Sequence, residues 1–204
     1  MPQELFPTKG NLIKAKNTLG LSKKGYELLD KKRTILVKEM MSLIAKAEDV
    51  QKQIDTTFSE AYLALQQANI ELGIQTVEQI SYAVEEEEDV MIKTRSIMGV
   101  EIPIAKIPEK QIKPQFGFTR TTISLDEAYK KFDKVKQLTV YMAEIENAIY
   151  RLAININKTQ KRANALTNIM IPRYENISKH IQEYLEEKER EEFTRLKKIK
   201  EIRN

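Results

Sequence analysis

From Leu138 to Met170, apolar side chains recur alternately every four and three residues: Leu138, Met142, Ile145, Ile149, Leu152, Ile156, Thr159, Ala163, Leu166 and Met170. Thr159 is the only polar member. An apolar repeat averaging 3.5 residues keeps one narrow stripe facing a partner helix while both supercoil left-handedly, so it reads as the seam of a coiled coil. Such a stripe needs a partner.

A second seam of the same period runs through Leu12, Ala15, Leu19, Ser22, Tyr26, Leu29, Arg33, Leu36, Met40, Leu43, Ala47, Val50, Ile54, Thr57, Ala61, Ala64 and Ala68 without a slip in register. Thr8 is placed to cap its first turn. At 1.5 Å per residue, Leu12 to Ala68 predicts a helix about 85 Å long. Gly20 and Gly25 each weaken a helix by about 1 kcal/mol relative to alanine, yet both stand off the seam. Gly73 marks an irregularity, after which Val77, Ile80, Tyr82 and Val84 carry helical spacing into the eighties.

The pattern changes after an acidic run, Glu85 to Asp89, whose ordinary role is a solvated surface. Val90, Ile92 and Thr94 alternate, Met98-Gly99 interrupts, and Val100, Ile102 and Ile104 alternate again. A period of two about a glycine reads as a short β-hairpin, which needs the helices or a partner behind it because two strands alone are not stable. Residues 107–121, with Pro108, Pro114 and Gly117, read as a connector. Ser124-Leu125-Asp126-Glu127 has the form of a capping box at the start of the second long helix. Pro172 should bend or loosen that helix by removing an amide donor, and helix is expected almost to Asn204.

The two helices come out equally long, about 75 residues each. Equal lengths joined by a compact insertion predict an all-α chain: a long antiparallel two-helix coiled coil of the N- and C-terminal helices with a small β-hairpin between them. The parts are residues 1–82 (first helix), 83–123 (acidic segment, hairpin and connector) and 124–204 (second helix), together one elongated domain. Charge adds polarity. Residues 1–33 hold eight Lys/Arg against three Asp/Glu and residues 193–204 hold five against one, whereas the whole chain nets only +4. The tip carrying both termini is therefore expected to be basic.

Catalytic chemistry finds little support. There is no cysteine, which removes thiolate metal sites and cysteine nucleophiles and fits a reducing compartment. The single histidine, His180, lies on a charged helix, where a solvated or packing role outweighs a catalytic one. Gly20-x4-Gly25 has phosphate-loop spacing, but Tyr26 stands where the lysine must be and no strand precedes it. Asn157-Lys158-Thr159 and Asn176-Ile177-Ser178 match the glycosylation pattern by accident, mid-helix and without a secretion signal. No catalytic, cofactor-binding or metal residue is expected. Nor is any apolar run near the roughly 18 residues of a membrane helix, so no direct membrane insertion and a cytoplasmic location are expected.

Several segments are specific when taken together and in order. They are Pro7-Thr8-Lys9, Gly25-Tyr26-Glu27-Leu28-Leu29-Asp30-Lys31-Lys32-Arg33, Ile97-Met98-Gly99-Val100-Glu101-Ile102-Pro103, Lys161-Arg162-Ala163-Asn164-Ala165-Leu166, Ile171-Pro172-Arg173-Tyr174-Glu175, Leu185-Glu186-Glu187-Lys188-Glu189-Arg190-Glu191, and Arg195-Leu196-Lys197-Lys198-Ile199-Lys200. In this order, over almost the full chain, they resemble the D subunit of the rotary V-type and A-type ATPases, and the match is weakest over residues 71–88 and 106–122.

The resemblance implies a non-catalytic central-stalk rotor that transmits torque between the nucleotide-binding ring and the membrane rotor ring. The partners it implies are the F subunit of the rotor, the catalytic and non-catalytic nucleotide-binding subunits, and a subunit connecting to the membrane ring, with the chain peripheral to the membrane. Lys23, Lys24, Lys31, Lys32, Arg33, Arg162, Arg173, Arg195, Lys197 and Lys198 are then candidates for contact with the ring, against an ordinary solvated face. Arg33 stands out because a seam position obliges it to find an acceptor on the opposite helix or a neighbour. Ile97, Met98, Gly99 and Val100 are candidates for docking the F subunit or for regulation, against simple packing.

Three other readings compete. A prefoldin-like chaperone also joins coiled-coil helices through β-hairpin structure, although with shorter helices. A nucleic-acid binder would use the basic tip, but basic residues without interleaved aromatics speak against it, so no nucleic acid is expected as a partner. The third is a homo-oligomeric coiled-coil scaffold.

Overall fold

A computed structural model describes residues 6–84, 89–107, 116–117 and 121–203. The elements are α1 (Lys9–Leu72), α2 (Ile74–Ser81), β1 (Met91–Ile97), β2 (Val100–Lys106), α3 (Ile123–Ala165), a π-helical segment (Leu166–Met170) and α4 (Ile171–Arg203). Two long helical stretches flank an antiparallel two-stranded hairpin, as the seams predict. The residues Glu85 to Glu88, Pro108, Pro114 and Asn204, named above, lie outside the described residues.

Every seam position of both helices is buried or half-buried, which is what a stripe turned toward a partner requires. Thr8 caps α1: its hydroxyl accepts from the amide of Asn11 at 3.2 Å and its carbonyl from that of Leu12 at 3.0 Å. Gly73 ends it. That residue has φ +83°, its amide donates to Asn69 O at 3.0 Å, and its carbonyl accepts from Val77 to open α2.

The chain divides into two units, residues 1–35 with 156–204, and residues 36–155. In the first unit the helices run antiparallel, since Lys9 pairs with Glu189, Lys23 with Glu175 and Arg33 with Gln160. Its buried side chains are small: Ala15, Ser22, Thr159, Ala163 and Ser178, with Ile181 the one large exception. Small residues let two backbones approach closely, and the Leu166 Cδ1 methyl lies only 3.7 Å from where a Gly25 Cβ would stand. Ser22 satisfies its hydroxyl on its own helix by donating to Thr18 O at 2.8 Å.

The second unit is packed with larger groups. Val50, Ile54 and Ile145 form a core cluster against which Leu43, Ala47, Phe58, Leu138, Met142 and Ile149 pack. Tyr62 stacks on Phe58 and meets the edge of Phe132, with ring centroids 5.7 and 5.6 Å apart. Phe116 of the connector meets the Tyr129 ring edge-on at 6.0 Å. Ile145 against Val50 and Ile54, Phe132 against Tyr62 and Ser124 against Glu71 again set rising numbers on one helix against falling ones on the other.

At the start of the second long helix the capping-box expectation takes a different form. Helix α3 begins two residues earlier than the capping box requires: the Thr122 carbonyl accepts from the amides of Leu125 and Asp126. Ser124 is therefore inside the first turn, and its hydroxyl donates to the Glu71 carboxylate at 2.8 and 2.9 Å. Ahead of Pro172 the helix loosens, as expected, into the π-helical segment Leu166–Met170. A proline lacks the amide and crowds the carbonyl four residues back, and a π turn moves that carbonyl away.

Candidate interaction surfaces

The hairpin closes on Met98-Gly99, whose φ values of 50° and 76° are both positive, as a two-residue type I′ turn demands. That turn fixes the register: Ile97 opposite Val100, Arg95 opposite Ile102, Lys93 opposite Ile104 and Met91 opposite Lys106. Because side chains alternate across a strand, Val100 and Ile102, both buried, share their face with Arg95 and Lys93. The apolar alternation of Val90 and Ile92 therefore falls on the opposite face, and Ile92 is 71% exposed. The turn and the two buried residues of β2 decide the register, and β1 follows them.

Three contacts hold the hairpin to the helices of its unit. The Arg95 guanidinium donates to Glu39 of α1 at 3.0 Å. The Ala105 amide donates to the Glu144 carboxylate of α3 at 2.8 Å, and Arg151 of α3 donates to the Glu101 carbonyl at 3.2 Å. Of the four hairpin candidates, Met98 and Gly99 are exposed at the turn and Ile97 is half-buried. Val100 is only 3% exposed, so its side chain is packed, not presented.

The first unit carries 20 Lys/Arg against 11 Asp/Glu, a net +9, and the second 14 against 19, a net −5. Within the first unit the basic candidates lie at separate levels. Arg33, half-buried on the seam, donates to Gln160 Oε1 on the opposite helix and pairs with Asp30 at 2.6 Å, which supplies the acceptors its position requires. Lys31 and Arg162 are exposed and Lys32 half-buried, at that same level. Lys23 is tied to Glu175 at 2.7 Å, with Lys24 and Arg173 exposed beside that pair in sequence.

Arg195, Lys197 and Lys198 lie beyond the level where Lys9 meets Glu189, 2.9 Å apart. From Lys9 to Arg33 is about 36 Å of helix, so the basic residues form a distributed surface and not one cluster. Glu189 holds the Lys9 ammonium above its ordinary pKa, first by a hydrogen bond and then by charge.

Apolar residues stand on the outside of this unit as well. Leu21, Leu28 and Ile35 are exposed at heptad spacing along α1, and Phe193, Leu196, Ile199 and Ile202 are 57–84% exposed on the last turns of α4. The seam does not include them. Along α1 their signal lies in the sequence itself, as a second apolar residue in each of three successive heptads.

Similarity to known proteins fixes the identity of this pair of helices. A model of the family described as the ATP synthase D subunit matches residues 11–201. The chain belongs to the ATP synthase D-subunit family. It is 44% identical to the V-type ATP synthase D subunit of Thermotoga neapolitana over 96% of both chains. It is 36% identical to the A-type ATP synthase D subunit of Pyrococcus abyssi, over 99% of this chain and 97% of that one. With the A-type ATP synthase D subunit of Methanobrevibacter smithii it shares 41% identity, over 95% of this chain and 85% of the other.

Family membership makes this a central-stalk component of a V/A-type rotary ATPase, with other ATPase subunits as its partners, and the prefoldin-like alternative is not favoured. Among the described residues, no helix is long and apolar enough to cross a membrane.

Proposed function

We propose that the chain is the non-catalytic rotor of its ATPase, carrying torque between the ring of nucleotide-binding subunits and the membrane rotor ring. On this reading it works in the cytoplasm, peripheral to the membrane, and takes no cofactor. The basic first unit, with Lys23, Lys24, Lys31, Lys32, Arg33, Arg162, Arg173, Arg195, Lys197 and Lys198, faces the catalytic and non-catalytic subunits of the ring. The hairpin turn at Ile97 to Val100 lies toward the F subunit of the rotor, and a connecting subunit joins the chain to the membrane ring.

One observation carries the reading. Around the helix pair of the first unit the exposed groups differ from side to side, with Leu21, Leu28 and Ile35 along α1 and lysines and arginines elsewhere. A shaft that presents unlike faces makes different contacts with each surrounding subunit as it turns. Differential contact is what shifts one neighbour toward an open state and another toward a closed one, without the shaft itself binding nucleotide.

Because the chain has no cysteine, a single engineered thiol is unique. Lys24→Cys, carrying a cleavable photo-crosslinker, should join the chain to a ring subunit in the assembled ATPase, stop multiple-turnover ATP hydrolysis, and release it on cleavage. Turnover at the unlinked rate while the cross-link is intact would sink the rotor reading.

A further inference from the structure

The two edges of the hairpin are treated differently. The Ala105 amide and the Glu101 carbonyl both point away from β1, since they bond Glu144 and Arg151 of α3. Strand geometry alternates inward and outward pairs, so the pairs facing away from each other are Ile92/Ala105, Thr94/Pro103 and Ser96/Glu101. On β2 that outer edge is partly taken up: Glu144 takes one amide, Arg151 one carbonyl, and Pro103 has no amide to offer. On β1 the corresponding groups are the N–H and C=O of Ile92, Thr94 and Ser96. They bond to no described residue, and all three residues are exposed.

We propose that the outer edge of β1 receives an extended, carboxylate-bearing segment of another protein of the ATPase, which adds as a third strand through the backbone groups of Ile92, Thr94 and Ser96. Main-chain bonds of this kind give affinity, and the neighbouring side chains give selectivity. Here those side chains are Lys93 and Arg95, the only charged residues of β1, standing on the edge of a unit whose net charge is −5. Arg95 is shared with Glu39, and Lys93 makes no ion pair with any described residue. A strand laid on this edge places its side chains about 4.5–5.5 Å from theirs, where opposite charges attract.

The same spacing argues against a second copy of this chain as the occupant. Antiparallel self-pairing that uses all three outward residues is centred on Thr94 and sets Lys93 opposite Arg95 of the other copy, like charges face to face.

Amide hydrogen exchange tests the proposal on the purified chain and on the intact ATPase isolated with it. Lys93 and Arg95, bonded to β2, should be protected in both. Ile92, Thr94 and Ser96 should exchange freely in the isolated chain and at least tenfold more slowly in the complex. Equal exchange in the two samples overturns the proposal, and so does protection of the isolated chain that grows with its own concentration, since the occupant is then a second copy.

Two variants complete the test. Thr94→Pro removes only an outward amide and should abolish the added protection at Ile92 and Ser96, whereas Thr94→Ala should retain it. Lys93→Glu, which leaves the backbone groups in place, should weaken the protection and reverse its salt dependence; unchanged protection overturns the carboxylate-bearing occupant. The outcome is separable from torque transmission, because a β1 edge that is protected in the complex stays so whether or not a cross-link at residue 24 stops turnover.

Discussion

Ile145 is the residue on which the seam of the second unit is most directly tested. Its side chain is 2% exposed and packs into the cluster with Val50 and Ile54, ringed by half-buried Leu43, Ala47, Phe58, Leu138, Met142 and Ile149. Ile145→Ala removes three carbons, about 2.4 kcal/mol of transfer free energy at roughly 0.8 kcal/mol per methylene. A rigid cavity would add to that, but the ring around it is half-exposed and free to close in, so the total should be about 2.5–3.5 kcal/mol, in the middle of the range for such truncations.

The second unit spans 120 residues, and at about 2.1 cal/mol/K per residue its melting entropy is about 0.25 kcal/mol/K, so a loss of 3 kcal/mol lowers its Tm by about 12 °C. Urea titration followed by helical circular dichroism reads the loss, and calorimetry reads the shift. Leu28→Ala, at a side chain 68% exposed on the outside of α1, is the control and should stay within about 0.5 kcal/mol. If Ile145→Ala costs no more than Leu28→Ala, apolar burial along the seam does not hold this unit together.

Two further measurements probe local features. Gly73, at φ +83° with open space around it, should lose about 1 kcal/mol as Gly73→Ala through backbone strain alone, while Gly20→Ala, mid-helix with equally open space, should gain about 0.5–1 kcal/mol; denaturant midpoints of the two variants should move in opposite directions. Hydrogen bonds from Gln67 first, then Ser124, hold the Glu71 carboxyl below its ordinary value of 4.5. A lowered carboxylate pKa contributes stability that is in place above 4.5 and is lost as pH falls through the lowered value, so Glu71→Gln should flatten the stability profile below pH 4.5 and leave its slope near neutrality unchanged.

How much of this is legible in the sequence depends on how local the determining physics is. The 3.5-residue repeat reports burial at every seam position because a helix face is set by spacing alone, and Gly73 and Met98-Gly99 report backbone conformations that few other residues adopt. The inward face of β1 is not legible. Ile92 is more apolar than Arg95, yet Arg95 turns inward because a tight turn a few residues beyond Ile92 sets the register and a glutamate 56 residues away receives its charge.

Ser124 escapes in the same way. The sequence carries the capping pattern, but Glu71 offers the Ser124 hydroxyl a charged acceptor, and the helix starts two residues sooner. The open edge of β1 needs both kinds of information: a strand from the pattern, and from the structure the knowledge that α3 covers β2 and leaves β1 free.

The packing of the two units suits them to different work. Where the buried residues are Ala15, Ser22, Thr159, Ala163, Ser178 and Ile181, the fully buried groups are mostly small, and Leu21, Leu28 and Ile35 remain outside. A helix pair whose fully buried groups are mostly small, and which bears +9, has much of its recognisable chemistry on its surface, available to neighbours. Where the buried residues include Leu36, Val50, Ile54, Ile145 and Leu152 beside Ala61, Ala68, Ala128 and Ala148, the unit has a larger core, and that is where the chain places a hairpin anchored by Glu39, Glu144 and Arg151. An edge strand offered to another protein is useful only if the bonding partner is met by a fixed row of amides. The larger core and the three hairpin anchors supply that rigidity where β1 stands, so the same packing that stabilises the second unit also preorganises the edge proposed to receive a strand.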